Sequence, residues 1–439
     1  MIPEHLLEYY LEPAPVEFTP AGETDEERDA VLEQLADSQG FPAATTIVAE
    51  AIHKDADVTV LDFTQQQVTV RFRVDGMWHP GVPMDRETGD YMLAVLKKLA
   101  GANYQERRKK QKGMFATAFL KGKQKFKLIS QGTQTGERVA LYLDYKRPSF
   151  DRLEDCGMRQ SMISQVVDLM NMSTGGWFLV SAVPGEGYTT SWRAALDSCD
   201  RLTRDFFVIE DCNKVEPEVI NIGSITFDPA KGETHMTPLP QLLLREPDVL
   251  SVSEIPDGKM LDKLCNQSTI NEIPIYLRHP GKNAVDALLR VLALKPDANK
   301  FLASLSGVLC MRLVRKLCEN CRQAYVPHPQ LLQKLGLPAG RIEKLYRPFI
   351  YKPGMVDEDE NEIPPCRECS GIGYRGRTGI FELLKVTPAF RNAAAKTLSL
   401  SALTAAAKQE GHITQTQEAA VLIARGVTSV EELQRMLQS

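Results

Sequence analysis

Gly176–Leu196, GWFLVSAVPGEGYTTSWRAAL, is the stretch on which the fold turns. GWFLVSA is an apolar run of strand length, and a run of this kind reads as a strand buried on both faces. It enters a glycine-rich turn and then a helix whose first amides would point at an anion, the layout of a phosphate-binding loop. Against the pattern GxxxxGK[ST] it departs twice: Ala182 stands at the first glycine and Tyr188 at the lysine. Gly185, Gly187, Thr189 and Thr190 are kept, so backbone amides could still face phosphate and Thr189 could still touch magnesium. The missing lysine is the point charge that neutralises the β and γ phosphates, and a tyrosine offers one neutral donor instead. Glu186 adds a carboxylate to the loop. At about 4 Å and an effective dielectric near 20, one unit of unfavourable charge is worth about 4 kcal/mol, so the loop is expected to bind and turn over nucleotide poorly.

Outward from the loop, DFFVIED, DVLSVSE and EIPIYL are further apolar strands alternating with helical segments from Met158 onward. This predicts a doubly wound parallel sheet with its ligands at the carboxyl ends of the strands. VTPAFRNAAAKTL, SLSALTAAAKQEG, TQTQEAAVLIARG and TSVEELQRMLQ predict a tail of short helices, capped by Ser399, Thr414 and Thr428 and punctuated by Gly411 and Gly426. Before the loop, TTIVAEAIHKDA and RETGDYMLAVLKKLAGA predict helices. VTVLDF, VTVRFRV, MFATAFL, KFKLIS and RVALYLDY predict strands, with a hairpin at Asp75-Gly76, and together they form a small α+β domain closing near Pro148. Residues 1 to about 40 read as a short helix and a loose acidic linker.

The chain has 439 residues, too many for one core, while 43% hydrophobic and 25% charged residues are ordinary globular values. Its start lacks the basic and apolar regions of a signal peptide, and no apolar run is long enough to span a bilayer; a cytoplasmic protein is expected. With 52 basic against 57 acidic side chains, nothing points to nucleic acid as the main partner. The basic stretch KKLAGANYQERRKKQK, with Tyr104 its one aromatic, reads as a solvated helix end and loop.

Two CxxC pairs, Cys318 with Cys321 and Cys366 with Cys369, suit tetrahedral zinc, because a two-residue spacing turns both thiolates of a pair toward one ion. A redox pair would need the strand-to-helix setting that neither CxxC has. Cys156, Cys199, Cys212, Cys265 and Cys310 are scattered singly and read as reduced thiols, mostly in the core. The acidic run from Asp357 to Glu362 reads as a solvated loop of the zinc lobe.

From Ala43 to Ser439 the chain resembles the motor ATPases of type II secretion and type IV pilus assembly (GspE/PulE/PilB), most specifically in CRECSGIGYRGRTGIFELL from Cys366 to Leu384 and in RLVRKLCENC. After an acidic segment over 1–42, the resemblance implies an α+β N-domain over 43–150 and a RecA-like P-loop domain over 151–439. In the last, a zinc lobe lies at 318–369 and a helical tail at 387–439. It implies a homo- or hetero-hexamer on the inner face of the cytoplasmic membrane, working with platform proteins. By position, Glu210 of VIED would activate water beside Asp211, and Glu254 and Asp257 would belong to the Walker B segment, where Ser253 replaces a glycine and Pro256 an arginine. His279 keeps the histidine of the family's histidine box without its flanks. In the N-domain, Gly136, Glu137 and Arg138 match, but Tyr142 and Lys127 stand where arginines complete a neighbour's site, Thr59 replaces a histidine, and RRKKQKG lacks the aspartate of the matching family segment.

The substitutions gather on nucleotide-facing positions while the cysteines and the strand pattern are intact. The leading expectation is a motor paralogue with an eroded ATP and magnesium site and a structural or regulatory role. Two others stand beside it: a working ATPase in which Arg193 or Lys214 supplies the missing cation, and a zinc-bearing interaction scaffold with no nucleotide role.

Overall fold

The computed structural model describes residues 16–119, 122–144, 150–171, 175–255, 257–338, 340–356 and 360–438. The chain divides into two compact units, residues up to 149 with 356–371, and 150–355 with 372–439.

The first unit is built on an antiparallel sheet. Its strands are β1 (Glu17–Thr19), β2 (Val58–Phe63), β3 (Gln67–Val74), β4 (Met77–Pro80), β5 (Met84–Asp85), β6 (Gln111–Phe119), β7 (Gly122–Gly132) and β8 (Glu137–Asp144). They run in the order β1-β6-β7-β8-β2-β3-β4, with β5 on β3. Strict alternation along β3, β7 and β8 turns Val68, Val70, Phe72, Phe126, Leu128, Val139 and Leu141 inward, and one buried face is what such alternation specifies. Asp75 and Gly76 make the β3–β4 turn with φ of 50° and 82°, the left-handed pair a tight hairpin needs. The helices Phe41–His53 and Arg86–Leu99 bury Ile47, Val48, Leu93 and Leu96.

Two expectations fail in this unit. The acidic segment is more ordered than a loose linker: β1 pairs with β6, and Asp25–Ala36 is a helix started by a capping box in which Glu27 N–H donates to Thr24 Oγ1 at 3.2 Å. The first fifteen residues of the segment expected to begin with a short helix lie outside the described residues. In the basic stretch, Lys97 is not solvated; it is fully buried, 2.5 Å from a carboxylate oxygen of Glu137 and donating to Glu106 O at 2.7 Å.

The second unit holds β9 (Gly176–Ala182), β10 (Phe206–Asp211), β11 (Ile222–Phe227), β12 (Val249–Val252), β13 (Pro274–Arg278), β14 (Leu305–Leu317), β15 (Gln323–Tyr325), β16 (Leu345–Arg347) and β17 (Tyr374–Lys385). Seven of them form one sheet in the order β11-β10-β12-β13-β9-β14-β17, parallel throughout except at the β14–β17 edge. β9 is buried at every residue. Trp177 and Leu179 enter one apolar cluster with Leu250, Leu264 and Phe301, while Phe178 and Val180 enter another with Val166, Trp192 and Phe206, so helices cover both faces. A third cluster packs the tail onto β14 and β17 through Val314, Ile380, Ile423 and Leu433. The tail helices are Pro388–Lys396, Leu400–Gln409, Gln415–Ala424 and Val430–Gln438. Thr414 caps the third as expected, but Ser429, not Thr428, caps the fourth: Glu432 N–H donates to Ser429 Oγ, whereas Thr428 Oγ1 donates to Arg315 O.

Candidate functional site

Four parallel strands end together. The glycine turn follows β9, Glu210 lies on β10, Glu254 comes two residues after β12 and His279 follows β13. Their shared neighbourhood is visible in the electrostatics, because the Glu254 charge acts on Tyr188, His235 and His279 alike. In the turn, Gly185 and Gly187 have φ of 84° and 85°. At Gly187 the positive φ is what disfavours a side chain; a Cβ would also meet Met311 Cε at 2.3 Å, the flexible end of a side chain that can move aside. The helix Tyr188–Asp197 starts directly after it with no side-chain cap, leaving its first amides to the turn. Thr189 and Thr190 sit in its first turn, partly exposed.

Tyr188 does not reach over the loop. Its ring lies on the Arg278 guanidinium, 4.5 Å from Cζ to the ring centre, and its hydroxyl is buried without a hydrogen-bond partner. Burial pushes the phenol pKa up. A stack shielded in this way is worth roughly 1–2 kcal/mol. Arg278, at the end of β13, is itself buried; it pairs with Glu216 and donates from Nε to Ser253 O at 3.4 Å. Glu216 N–H donates to Glu210 Oε1 at 3.3 Å, and Ser224 Oγ to Glu210 Oε2 at 3.0 Å. Burial raises the Glu210 pKa, and those two donors only partly offset it.

Glu186 corrects the sequence-based charge estimate. Its carboxylate is neither loose in the loop nor aimed at solvent: Arg312 of β14 grips it with Nε at 2.6 Å and Nη2 at 3.1 Å, a bidentate pair that cancels the charge. The two cations expected to substitute for the lysine are also engaged, Arg193 with Asp151 at 2.9 Å and Lys214 with Glu254 at 3.3 Å. Asp257 caps the helix Gly258–Ile270 through Met260 N–H. His279 donates its backbone N–H to Val180 O at 3.1 Å; burial first, then Arg290, lowers its imidazole pKa. Pro256 lies outside the described residues. Arg278, Glu216 and Arg312 escaped the sequence reading, although Arg278 directly precedes His279. So did Lys282, exposed beside the backbone contact from Gly281 N–H to Ala182 O at 3.4 Å.

In the first unit, Lys127 and Tyr142 stand directly opposite each other on β7 and β8, side chains outward. Thr59 is buried in the core.

The sulfurs of Cys318, Cys321, Cys366 and Cys369 all lie within 4.8 Å of one another. Four thiolates at about 2.3 Å from one zinc ion would stand a little under 4 Å apart, so the donor set fits that ion. Among the other thiols Cys156, Cys199 and Cys265 are buried, which pushes each up to about 12 and keeps it protonated; Cys212 is exposed.

The sheet, the glycine turn and the carboxylates at neighbouring strand ends define an α/β protein with an ATPase-like fold. The Legionella pneumophila ATPase DotB shares it, with a TM-score of 0.52 over 95% of this chain and 97% of that one at 11% identity. The chain belongs to the type II/IV secretion system protein family, whose model matches residues 33–435. It is 29% identical over 379 residues to type II secretion system protein E of Dickeya dadantii, covering 86% of this chain and 72% of that protein. To the type IV pilus assembly ATPase PilB of Thermus thermophilus it is 26% identical over 94% of its own length and 44% of the relative's. Among the described residues no helix is long and apolar enough to cross a membrane.

Proposed function

We propose that this chain is a cytoplasmic component of a type II secretion or type IV pilus assembly machine whose nucleotide site has been disarmed, and that its role there is structural or regulatory. It would act in a hexamer, alone or mixed with an active motor, against membrane-platform proteins. Its layout would be an α+β N-domain before a RecA-like domain, with Cys318, Cys321, Cys366 and Cys369 holding a structural zinc.

The observation that carries the reading is the charge balance around the loop. A nucleoside triphosphate with magnesium brings net negative charge to a site that must supply positive charge. Tyr188 brings none, and Arg312, Arg278, Arg193 and Lys214 each face a carboxylate of this same chain. The reading is tested by titrating the purified protein with a fluorescent ATP analogue and magnesium and by measuring phosphate release. No saturable binding and no release above buffer are expected. Hydrolysis that disappears on Glu210→Gln would establish a working enzyme instead.

Lys282 favours a second reading, a functional motor with a displaced cation, because it is exposed and directly follows Gly281, whose N–H reaches Ala182 O. Wild-type binding that Lys282→Ala abolishes would put that reading first.

A further inference from the structure

We propose that nucleotide is rejected by a built unit, Tyr188–Arg278–Glu216, and that Arg278 determines this rejection as much as the missing lysine does. The inference rests on the reading that the loop binds ATP weakly, and it names the residue responsible.

Arg278 is fixed from every side. Its guanidinium lies over the Tyr188 ring at 4.5 Å and 6.0 Å from the Trp192 ring centre, one edge pairs with Glu216 and Nε reaches Ser253 O. Only 5% of its side chain is exposed. It therefore cannot swing out to meet a phosphate without breaking an ion pair inside the protein, and its charge is already matched by Glu216. Through the Glu216 N–H the unit also holds Glu210, the carboxylate expected to orient water.

A lysine placed at position 188 starts from the same backbone, where the tyrosine ring now covers the guanidinium. Its ammonium would stand against a second cation in a half-buried place, with the nearest carboxylate already taken. Restoring the lysine alone thus gives two cations competing for one pocket. Removing Arg278 and Glu216 together takes away a neutral pair, keeps the backbone N–H of position 216 as a donor to Glu210, and gives a lysine at 188 the space it needs.

The test is a cycle of four proteins titrated with a fluorescent ATP analogue and magnesium: wild type, Tyr188→Lys, the pair Arg278→Gln with Glu216→Gln, and all three changes together. The triple variant is expected to bind at least tenfold tighter than Tyr188→Lys, with neither wild type nor the Gln pair binding measurably. Tyr188→Lys binding as tightly as the triple variant would overturn the role of Arg278 while leaving the disarmed-loop reading in place. Tight binding by wild type would refute the disarmed loop itself. Thermal melts check that each variant is folded, and Tyr188→Lys with Arg278→Leu and Glu216→Leu replaces the triple variant if that one melts early, under the same expected and overturning results.

Discussion

The four cysteines and the glycine loop have met opposite fates in one chain. The four thiols stand within 4.8 Å of one another, whereas at the glycine turn Glu186 is paired with Arg312 and the neighbouring Arg278 with Glu216. The difference shows what each kind of site consists of. A tetrahedral zinc site is its four ligands, and if any is lost the site is gone. A phosphate loop is a backbone shape plus a surplus of positive charge, and the shape can persist for packing reasons when the surplus has vanished. Gly187 illustrates this, since its left-handed φ of 85° favours glycine there with no nucleotide in play.

The largest expected effect separates the two regions directly. Stripping metal with a chelator, or Cys369→Ser, should release one zinc per chain and unfold the segment around the thiols, since structural zinc contributes about 10–16 kcal/mol in small zinc domains. Elemental analysis and thermal melts read both. Millimolar ATP with magnesium should leave the melting temperature of wild type unmoved, because a ligand that does not bind the native state cannot stabilise it. Full retention of fold without metal, or a nucleotide-induced rise, would break the contrast.

A smaller effect asks whether the carboxylate end of the sheet is packed as a closed core. His235 lies against the Phe227 ring, and burial lowers its pKa to about 4 although Glu254 and Asp211 pull the other way. The unfolded chain, with an ordinary histidine near 6.5, binds more protons than the native one between these values. Stability from this group is therefore complete above pH 6.5 and is lost as pH falls toward 4, by about 3 kcal/mol at the end of that window. His235→Gln should flatten the slope of melting temperature against pH over that window relative to wild type; an unchanged slope would mean the pocket is open to water.

Much of the architecture was legible because it rests on local pattern. β9, β12 and β13 are apolar runs, β3 and β7 alternate, and Asp75-Gly76 can hardly be anything but a tight turn. The cysteine spacing likewise needed no structure. What could not be read were partnerships across long sequence separation. Arg312 finds Glu186 because β14 lies beside β9, and Arg278 finds Tyr188 because β13 does on the other side, facts of strand order and not of composition. The sequence could count the charges in the loop but not the opposite charges that neighbouring strands bring to it, so it overestimated Glu186 and overlooked Arg278. The acidic segment failed for the same reason: β1 is three residues long and exists only because β6 offers an edge.

The smallest predicted effect sharpens the comparison most, because it alters charge in the loop without touching Tyr188. Glu186→Gln keeps the size of the side chain and can still accept one hydrogen bond from Arg312, but the pair changes from neutral to singly positive beside the helix start. Losing a charge-assisted bidentate contact on a partly exposed glutamate should cost about 1–3 kcal/mol of stability. If charge balance disarms the loop, the same change should bring anion affinity up about tenfold, equivalent to about 1.4 kcal/mol. The readout is the thermal shift caused by millimolar inorganic pyrophosphate, which carries the phosphates without base or ribose. A larger shift for the variant than for wild type would show that the backbone cradle still works and that only its charge was lost. Equal shifts would mean that the turn no longer presents its amides to anions, and the loop would then be a relic of packing alone.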